Sequence, residues 1–128
     1  MERAIQIFVA LPGVLMGIQA IGWLVDPKGA AEGLGMPLLD GVARSTQIGD
    51  MTAFFVGLCA MVLLGAIRKN ATWLAAAAIV LGGAAIFRTT AWMFHGADLA
   101  TQFIVPELVL TAILSFGVYR YSRGSKAS

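Results

Sequence analysis

The sequence predicts an all-α integral membrane protein, built as one four-transmembrane-helix antiparallel bundle over residues 1–128. Four apolar stretches are each about 20 residues or longer, which is enough to cross a hydrocarbon layer of roughly 30 Å. The chain is 59% hydrophobic and only 12% charged, with a mean hydropathy of +0.82, whereas soluble domains carry about 25% charged residues. Two of the three links are short, and short links make successive helices antiparallel neighbours.

The first predicted helix covers about residues 4–25 and ends at Asp26-Pro27, because proline cannot continue the helical hydrogen bonding. This stretch is too long for the apolar segment of a signal peptide, so we expect it to be retained. The loop over residues 26–41 is rich in glycine and proline, and residues 30–36 are expected to form a short turn of helix. A loop of this length is either a binding lid or a slack connection, and the sequence leaves both open.

The other three helices are predicted at about residues 42–67, 71–94 and 99–121. Their links are Arg68-Lys69-Asn70 and the turn over residues 95–98. Asn70 and Asp98 stand directly before the third and fourth helices, where short polar side chains cap the free N–H groups. We therefore expect both residues to be N-caps.

Basic residues are distributed unequally between the two ends of the predicted bundle. Four spans put both termini on one side, and positive charge in short loops marks the cytoplasmic side. We therefore expect the bundle to lie in the cell (inner) membrane with both termini cytoplasmic and loop 26–41 facing outward. The terminal side carries Arg3, Arg68, Lys69, Arg120, Arg123 and Lys126, and the other side carries Lys28 and Arg44.

Four ionisable residues, Asp50, Arg88, His95 and Glu107, lie inside or at the edge of the apolar stretches. Charge in hydrocarbon is unfavourable, so such residues usually pair and usually have a function. Asp50, Arg88 and Glu107 lie at one level, about 9–12 Å below the outer boundary at 1.5 Å per residue, and Gln19 shares it. We predict that Arg88 bridges both carboxylates, with His95 at the mouth. These four ionisable residues are the candidate catalytic residues.

The faces that carry these polar residues also supply candidate ligand-binding residues: Gln19, Gln47, Trp23, Trp92 and Phe103. Each lies within about one or two helical turns of the polar level on its own helix. Tryptophan near the end of a span commonly anchors the helix at the membrane interface. The two tryptophans are therefore either interface anchors or walls of an outward cavity.

A second interpretation of the same residues is assembly. A buried charge network can lock helices together, although apolar packing would do so at lower cost. Beside the polar face of the second predicted helix runs a row of small residues, Gly49, Ala53 and Gly57, which suits close helix contact in membranes. The polar residues therefore either form a ligand-binding site or help this protein to assemble as a non-catalytic accessory subunit of a homo-oligomer or larger membrane complex.

Several chemistries are excluded by residue type. No lysine lies within a span, so a retinal Schiff base is excluded, and the lone His95 rules out bis-histidine haem and a histidine-rich metal site. No metal or cofactor is predicted, although haem held by His95 alone stays open. Small multidrug transporters use an acidic residue in their first helix, where this chain has only Gln19. No basic run with aromatics indicates nucleic acid, and Cys59 is expected to be a packing residue.

Three segments resemble a known group of membrane proteins. Asp26-Pro27, the Gly-Leu-Gly-Met-Pro of residues 33–37 and the Arg-Ser-Thr-Gln-Ile-Gly-Asp of residues 44–50 resemble small bacterial four-helix proteins of the DUF4345 type, which look related to the DoxX-like group. Arg88 and the His95-Gly96 turn fit the same pattern. The resemblance implies the fold and topology but brings no agreed activity. Some DoxX-like members resemble quinone-linked redox subunits, which keeps a quinone among the alternatives.

The leading functional hypothesis is the binding of a small hydrophobic molecule or lipid in an outward-facing cavity. Arg88 would be the cationic anchor, while Asp50 and Glu107 would orient the guest and exchange protons with it. The sequence does not decide whether the protein is an enzyme. If chemistry occurs, acid–base isomerisation or ring opening of an apolar substrate fits these groups best.

Overall fold

The computed structural model describes residues 1–127, with side chains described as far as Arg123, and contains helices and no strands over that range. Four helices are long and apolar enough to cross a membrane, namely Glu2–Val25, Gly41–Ile67, Ala71–Phe94 and the Thr101–Arg123 part of the last helix. The predicted all-α class is therefore confirmed for the described residues, and so is the presence of four helices long and apolar enough to cross a membrane. The helices are α1 (Glu2–Val25), α2 (Pro27–Gly33), α3 (Gly41–Ile67), α4 (Ala71–Phe94) and α5 (Thr101–Ala127).

The ends of the long helices follow local capping chemistry. The bounds of α4 agree with the predicted range, and the Asn70 side chain accepts a hydrogen bond from the Thr72 N–H at 2.9 Å, as an N-cap does. The prediction for Asp98 is wrong, because α5 begins only at Thr101 and the Ala100 carbonyl accepts its first helical bond. Helix α5 also continues to Ala127, beyond its predicted end at residue 121.

The predicted loop contains a short helix that starts earlier than the sequence suggested. Asp26 caps α2 by accepting a hydrogen bond from the Gly29 N–H at 3.2 Å, and Pro27 occupies the first helical position, where a missing N–H does no harm. Helix α2 packs on α1, and Ala31 is fully buried. The first half of the loop is thus a docked element of the fold.

The long helices form two closely packed pairs, α1 with α3 and α4 with α5. Within the first pair, a Cβ atom on Gly13 would lie 3.0 Å from Val62, so the two backbones run unusually close. Within the second pair, Gly82 faces Thr111 at 3.4 Å. Small residues at such crossings allow the close approach that holds membrane helices together.

The two pairs meet at one end of the bundle, which we call the glycine-packed end. There α3 contacts α4 and α1 contacts α5. A Cβ atom on Gly65 would lie 2.6 Å from Leu74, and one on Gly117 would lie 2.8 Å from Leu74 and 2.9 Å from Val9. A larger residue at Gly65 or Gly117 would force the pairs apart.

Polar contacts reinforce this end. The Gln6 side chain donates to the Ala66 carbonyl at 2.9 Å, which ties the start of α1 to the end of α3. Glu2 pairs with Arg120 at 3.4 Å, which ties α1 to α5. Toward the opposite end the pairs separate and enclose a cavity.

The outer surface is strongly apolar. Large hydrophobic side chains remain exposed along α1, α4 and α5, and Phe87 is 70% exposed. A soluble monomer rarely exposes so much contiguous apolar surface. This surface suits hydrocarbon as its solvent and agrees with the composition of the chain.

Candidate functional site

A cavity of about 710 Å³ lies between the two helix pairs, and all five helices contribute to its wall. Its volume falls within the roughly 300–1,000 Å³ typical of small-molecule sites. The lining is mainly apolar and includes the aromatic rings of Phe54, Phe55, Phe87 and Phe103. The chemistry of the cavity therefore depends on the few polar groups set into this wall.

The principal polar feature is an ion pair between α4 and α5. The Arg88 Nε–H donates to both Glu107 carboxylate oxygens, at 3.1 and 3.3 Å. The Arg88 side chain is 33% exposed and that of Glu107 is 14% exposed, so the pair is largely shielded. The predicted contact between these two residues is therefore present.

Phe103 extends this polar feature along α5. Its ring lies under the guanidinium group, with the Arg88 Cζ atom 4.8 Å from the ring centroid. Residues four apart share a helix face, so Phe103 and Glu107 both point toward Arg88. A cation held against an aromatic face gains about 0.5–2 kcal/mol, so Phe103 helps to hold the Arg88 side chain in the cavity wall.

Gln19 on α1 lines the same cavity, across from α4 and α5. The count of residues from the helix ends put Gln19, Arg88 and Glu107 at one level, and all three line one cavity. Three of the four predicted polar positions are therefore brought together.

Asp50 is not part of this cluster, and the prediction that Arg88 bridges two carboxylates is wrong for it. Asp50 is exposed and borders a separate groove of about 430 Å³. Among the described residues, the only ion-pair partner of Arg88 is Glu107. Helix α3 turns Met51, Phe54 and Phe55 toward the cavity, and at 100° per residue Asp50 lies roughly 90° from the centre of that face.

Gln47 is buried but serves another purpose. Its Oε1 accepts a hydrogen bond from the Leu39 N–H at 2.9 Å, and its Nε2 donates to the Pro37 carbonyl at 3.0 Å. The same amide lies 3.7 Å from the Met36 sulfur. Gln47 therefore anchors the segment that follows α2, and it lies outside the cavity.

The remaining predicted site residues also lie outside the cavity. Trp23 is fully buried in the core, whereas Trp92 and His95 are exposed near the end of α4. The α4 part of the lining ends at Ala91, about one turn before His95. The expectation that His95 stands at the mouth is therefore not met.

Sequence reasoning missed the contribution of α2. Gly29, Ala30 and Gly33 line the cavity on one side, together with Leu34. A helix of seven residues is too short to show a clear periodicity, so the sequence predicted a turn of helix at residues 30–36, three residues too late, and assigned it no role in the site. The signal that could have revealed it is Asp26-Pro27, an N-cap followed by proline at the first helical position.

Within the described residues, no group of three or more His, Cys, Asp or Glu side chains is placed to hold a metal ion. Among the described residues that line the cavity, those with polar side chains are Arg88, Glu107 and Gln19. No family model, no curated protein and no solved structure matches this chain. The resemblance to proteins of the DUF4345 type stays a prediction.

Proposed function

We propose that this protein binds a small hydrophobic molecule or lipid in the cavity between the helix pairs, with Arg88 and Glu107 as its polar anchor. The observation that carries the proposal is a largely shielded ion pair set in the wall of an otherwise apolar cavity of about 710 Å³. Transfer of apolar surface into such a cavity is favourable by about 25 cal/mol per Å² when the surface comes from water. The pair supplies the convergent polar groups that orient a guest.

We further propose an antiparallel bundle in a bacterial inner membrane with both termini in the cytoplasm. The excess of lysine and arginine at the terminal side supports this orientation. The cavity then lies in the outer half of the bundle, and α2 lies near the outer surface. A guest would reach the site from the outer leaflet or from the external side.

The same groups allow acid–base chemistry. Glu107 can accept or return a proton, and Arg88 can stabilise negative charge that develops on a substrate oxygen. Isomerisation or ring opening of an apolar substrate remains the reaction class that we propose if the protein is an enzyme. Asp50 and His95 do not line the cavity, so such a reaction would use Glu107 as its one carboxylate.

Binding of the neutral apolar dye Nile red to the purified protein in detergent tests the site. We expect the dye fluorescence to rise saturably with the wild-type protein. In Arg88→Ala the affinity for the dye should be at least about tenfold lower, which corresponds to about 1.4 kcal/mol. Asp50→Ala is the matched control, because Asp50 lies outside the cavity, and it should bind as the wild type does. Equal binding by wild type and Arg88→Ala, with both proteins folded, would refute the proposal.

A second candidate, the assembly subunit, is favoured by the row of small residues on α3. A Cβ atom on Gly49 or Gly57 would meet no atom within 4 Å, and Ala53 is exposed, so this row faces outward. Native mass spectrometry of wild type and Ala53→Leu tests this function. Loss of an oligomer in the variant, with Nile red binding retained, would favour assembly, and an unchanged mass distribution would argue against it.

A further inference from the structure

We propose that the guest is an uncharged amphiphile, an apolar chain whose head group carries a hydrogen-bond-accepting oxygen such as an ester, ketone or alcohol. The head group would bind to the terminal NH₂ groups of Arg88. This inference rests on the proposed binding function and names the chemical class that the same site selects. It follows from charge balance, from the hydrogen-bonding capacity of the pair and from the position of Phe103.

The charge balance of the cavity favours a neutral guest. Among the described residues that line it, only Arg88 and Glu107 carry a charge, and their charges cancel. A carboxylate or an ammonium head group would add a charge without a counter-charge. Uncompensated charge in an apolar, membrane-embedded site is strongly unfavourable, so both head groups should bind more weakly than a neutral one.

The hydrogen-bonding capacity of Arg88 is only partly used. Glu107 accepts from Nε–H, and neither terminal nitrogen donates a hydrogen bond to any of the described residues. A guanidinium group donates and never accepts. Donors without partners in apolar surroundings are unfavourable, so an acceptor oxygen on the guest complements this edge of the site.

The direction of approach is also defined. The Arg88 Cζ atom lies over the Phe103 ring, 4.8 Å from its centroid, and Glu107 occupies the Nε edge of the guanidinium group. The terminal NH₂ edge is left for the head group. From there an apolar chain can extend along Leu81 and Leu110, which line the cavity on α4 and α5.

Three compounds with the same C16 chain test the inference: methyl palmitate, palmitate and hexadecylamine. Each compound is added in increasing amounts to Nile red bound to the full-length protein, and its concentration is expressed as its mole fraction in the micelle. We expect methyl palmitate to displace the dye at a mole fraction at least about tenfold lower than either charged compound, which is one decade of affinity. A wild type that prefers palmitate or hexadecylamine would overturn the inference without the use of any variant.

Two substitutions should move the preference in opposite directions. Glu107→Gln leaves the Arg88 charge uncompensated, so palmitate should gain at least about tenfold relative to methyl palmitate. Arg88→Gln leaves the Glu107 charge, so hexadecylamine should gain. Asp50→Asn makes the same charge change as Glu107→Gln but outside the cavity, and it should keep the wild-type order. An order that does not change in Glu107→Gln would show that the pair does not set the selectivity.

The outcomes also separate this inference from the function on which it rests. If Nile red binds and Arg88→Ala weakens it, but the three compounds displace it equally, then the cavity binds apolar guests without regard to head group. That result refutes the inference and leaves the proposed function in place. If Nile red does not bind to the wild type at all, the proposed function fails, and the inference fails with it.

Discussion

The ion pair between Arg88 and Glu107 should stabilise the fold by an amount that a double-mutant cycle can measure. Breaking a buried pair costs about 3–5 kcal/mol, because one charge is left without a partner, whereas an exposed pair contributes about 0–1 kcal/mol. With side chains 33% and 14% exposed, this pair lies between those limits and nearer the buried one. A coupling energy of about 1–3 kcal/mol is therefore expected.

The two single substitutions should differ in a way that follows from exposure. Arg88→Met leaves the more shielded Glu107 carboxylate unpaired, and we expect a loss of about 2–3 kcal/mol. Glu107→Gln leaves Arg88 unpaired, but Arg88 is the more exposed partner and is therefore less desolvated, so we expect a smaller loss of about 1–2 kcal/mol. The double variant should lose less than the sum of the two.

Equilibrium unfolding in mixed micelles, followed by tryptophan fluorescence, measures these free energies, because the fully buried Trp23 reports the folded core. The exposed pair of Arg44 and Asp40 has an N···O distance of 3.2 Å, close to the 3.1 Å between Arg88 and Glu107. It is the control cycle and should show no measurable coupling. Additive losses in the Arg88 and Glu107 cycle, within about 0.5 kcal/mol, would refute the reasoning.

Three further predictions concern stability and local order. Gly65→Ala should destabilise the protein by about 1–3 kcal/mol through overpacking. The control is Gly49→Ala, whose Cβ atom would meet nothing within 4 Å and which should change stability by less than about 1 kcal/mol. Thermal unfolding of the two variants measures the difference. Asn70→Ala should cost about 1 kcal/mol through the lost cap, and Asp98→Ala should cost nothing, by the same measurement. Gln47→Leu should speed amide exchange at Leu39, whose N–H donates to the Gln47 side chain, and unchanged exchange there would contradict the role of Gln47 as an anchor.

Much of the fold follows from hydropathy and local capping alone. The bounds of α4 could be predicted because Asn70 caps its start and a polar Gly-containing turn follows its end. The extent of helix α2 could not be predicted beyond the start that Asp26-Pro27 marks, since a helix of seven residues is marginal without tertiary contacts. Its docking on α1 through Ala31 stabilises it, and that contact is invisible in the local sequence.

The candidate site, like the fold, could be predicted from the sequence only in part. The depth of Arg88 and Glu107 in their helices can be counted from the helix ends, and both helices turn these residues inward. Asp50 lies at the same depth, but the rotation of α3 about its own axis decides which face points inward, and polar and small residues occur on several faces of this helix. The role of Gln47 depended on the path of residues 36–39, which no pattern within α3 specifies.

The close packing at the glycine-packed end makes it the point about which any relative rotation of the helix pairs would turn. Arg88 lies fourteen positions beyond Leu74 on α4, about 21 Å along the axis, so a relative rotation of the pairs by about 3° at that end shifts the facing walls by about 1 Å at this depth. Arg88, Glu107 and Phe103 all belong to one pair and would travel as a unit, while Phe54 belongs to the other. If the protein binds guests as proposed, such a rotation would adjust the girth of the chamber to their width and leave the arrangement of Arg88, Glu107 and Phe103 unchanged.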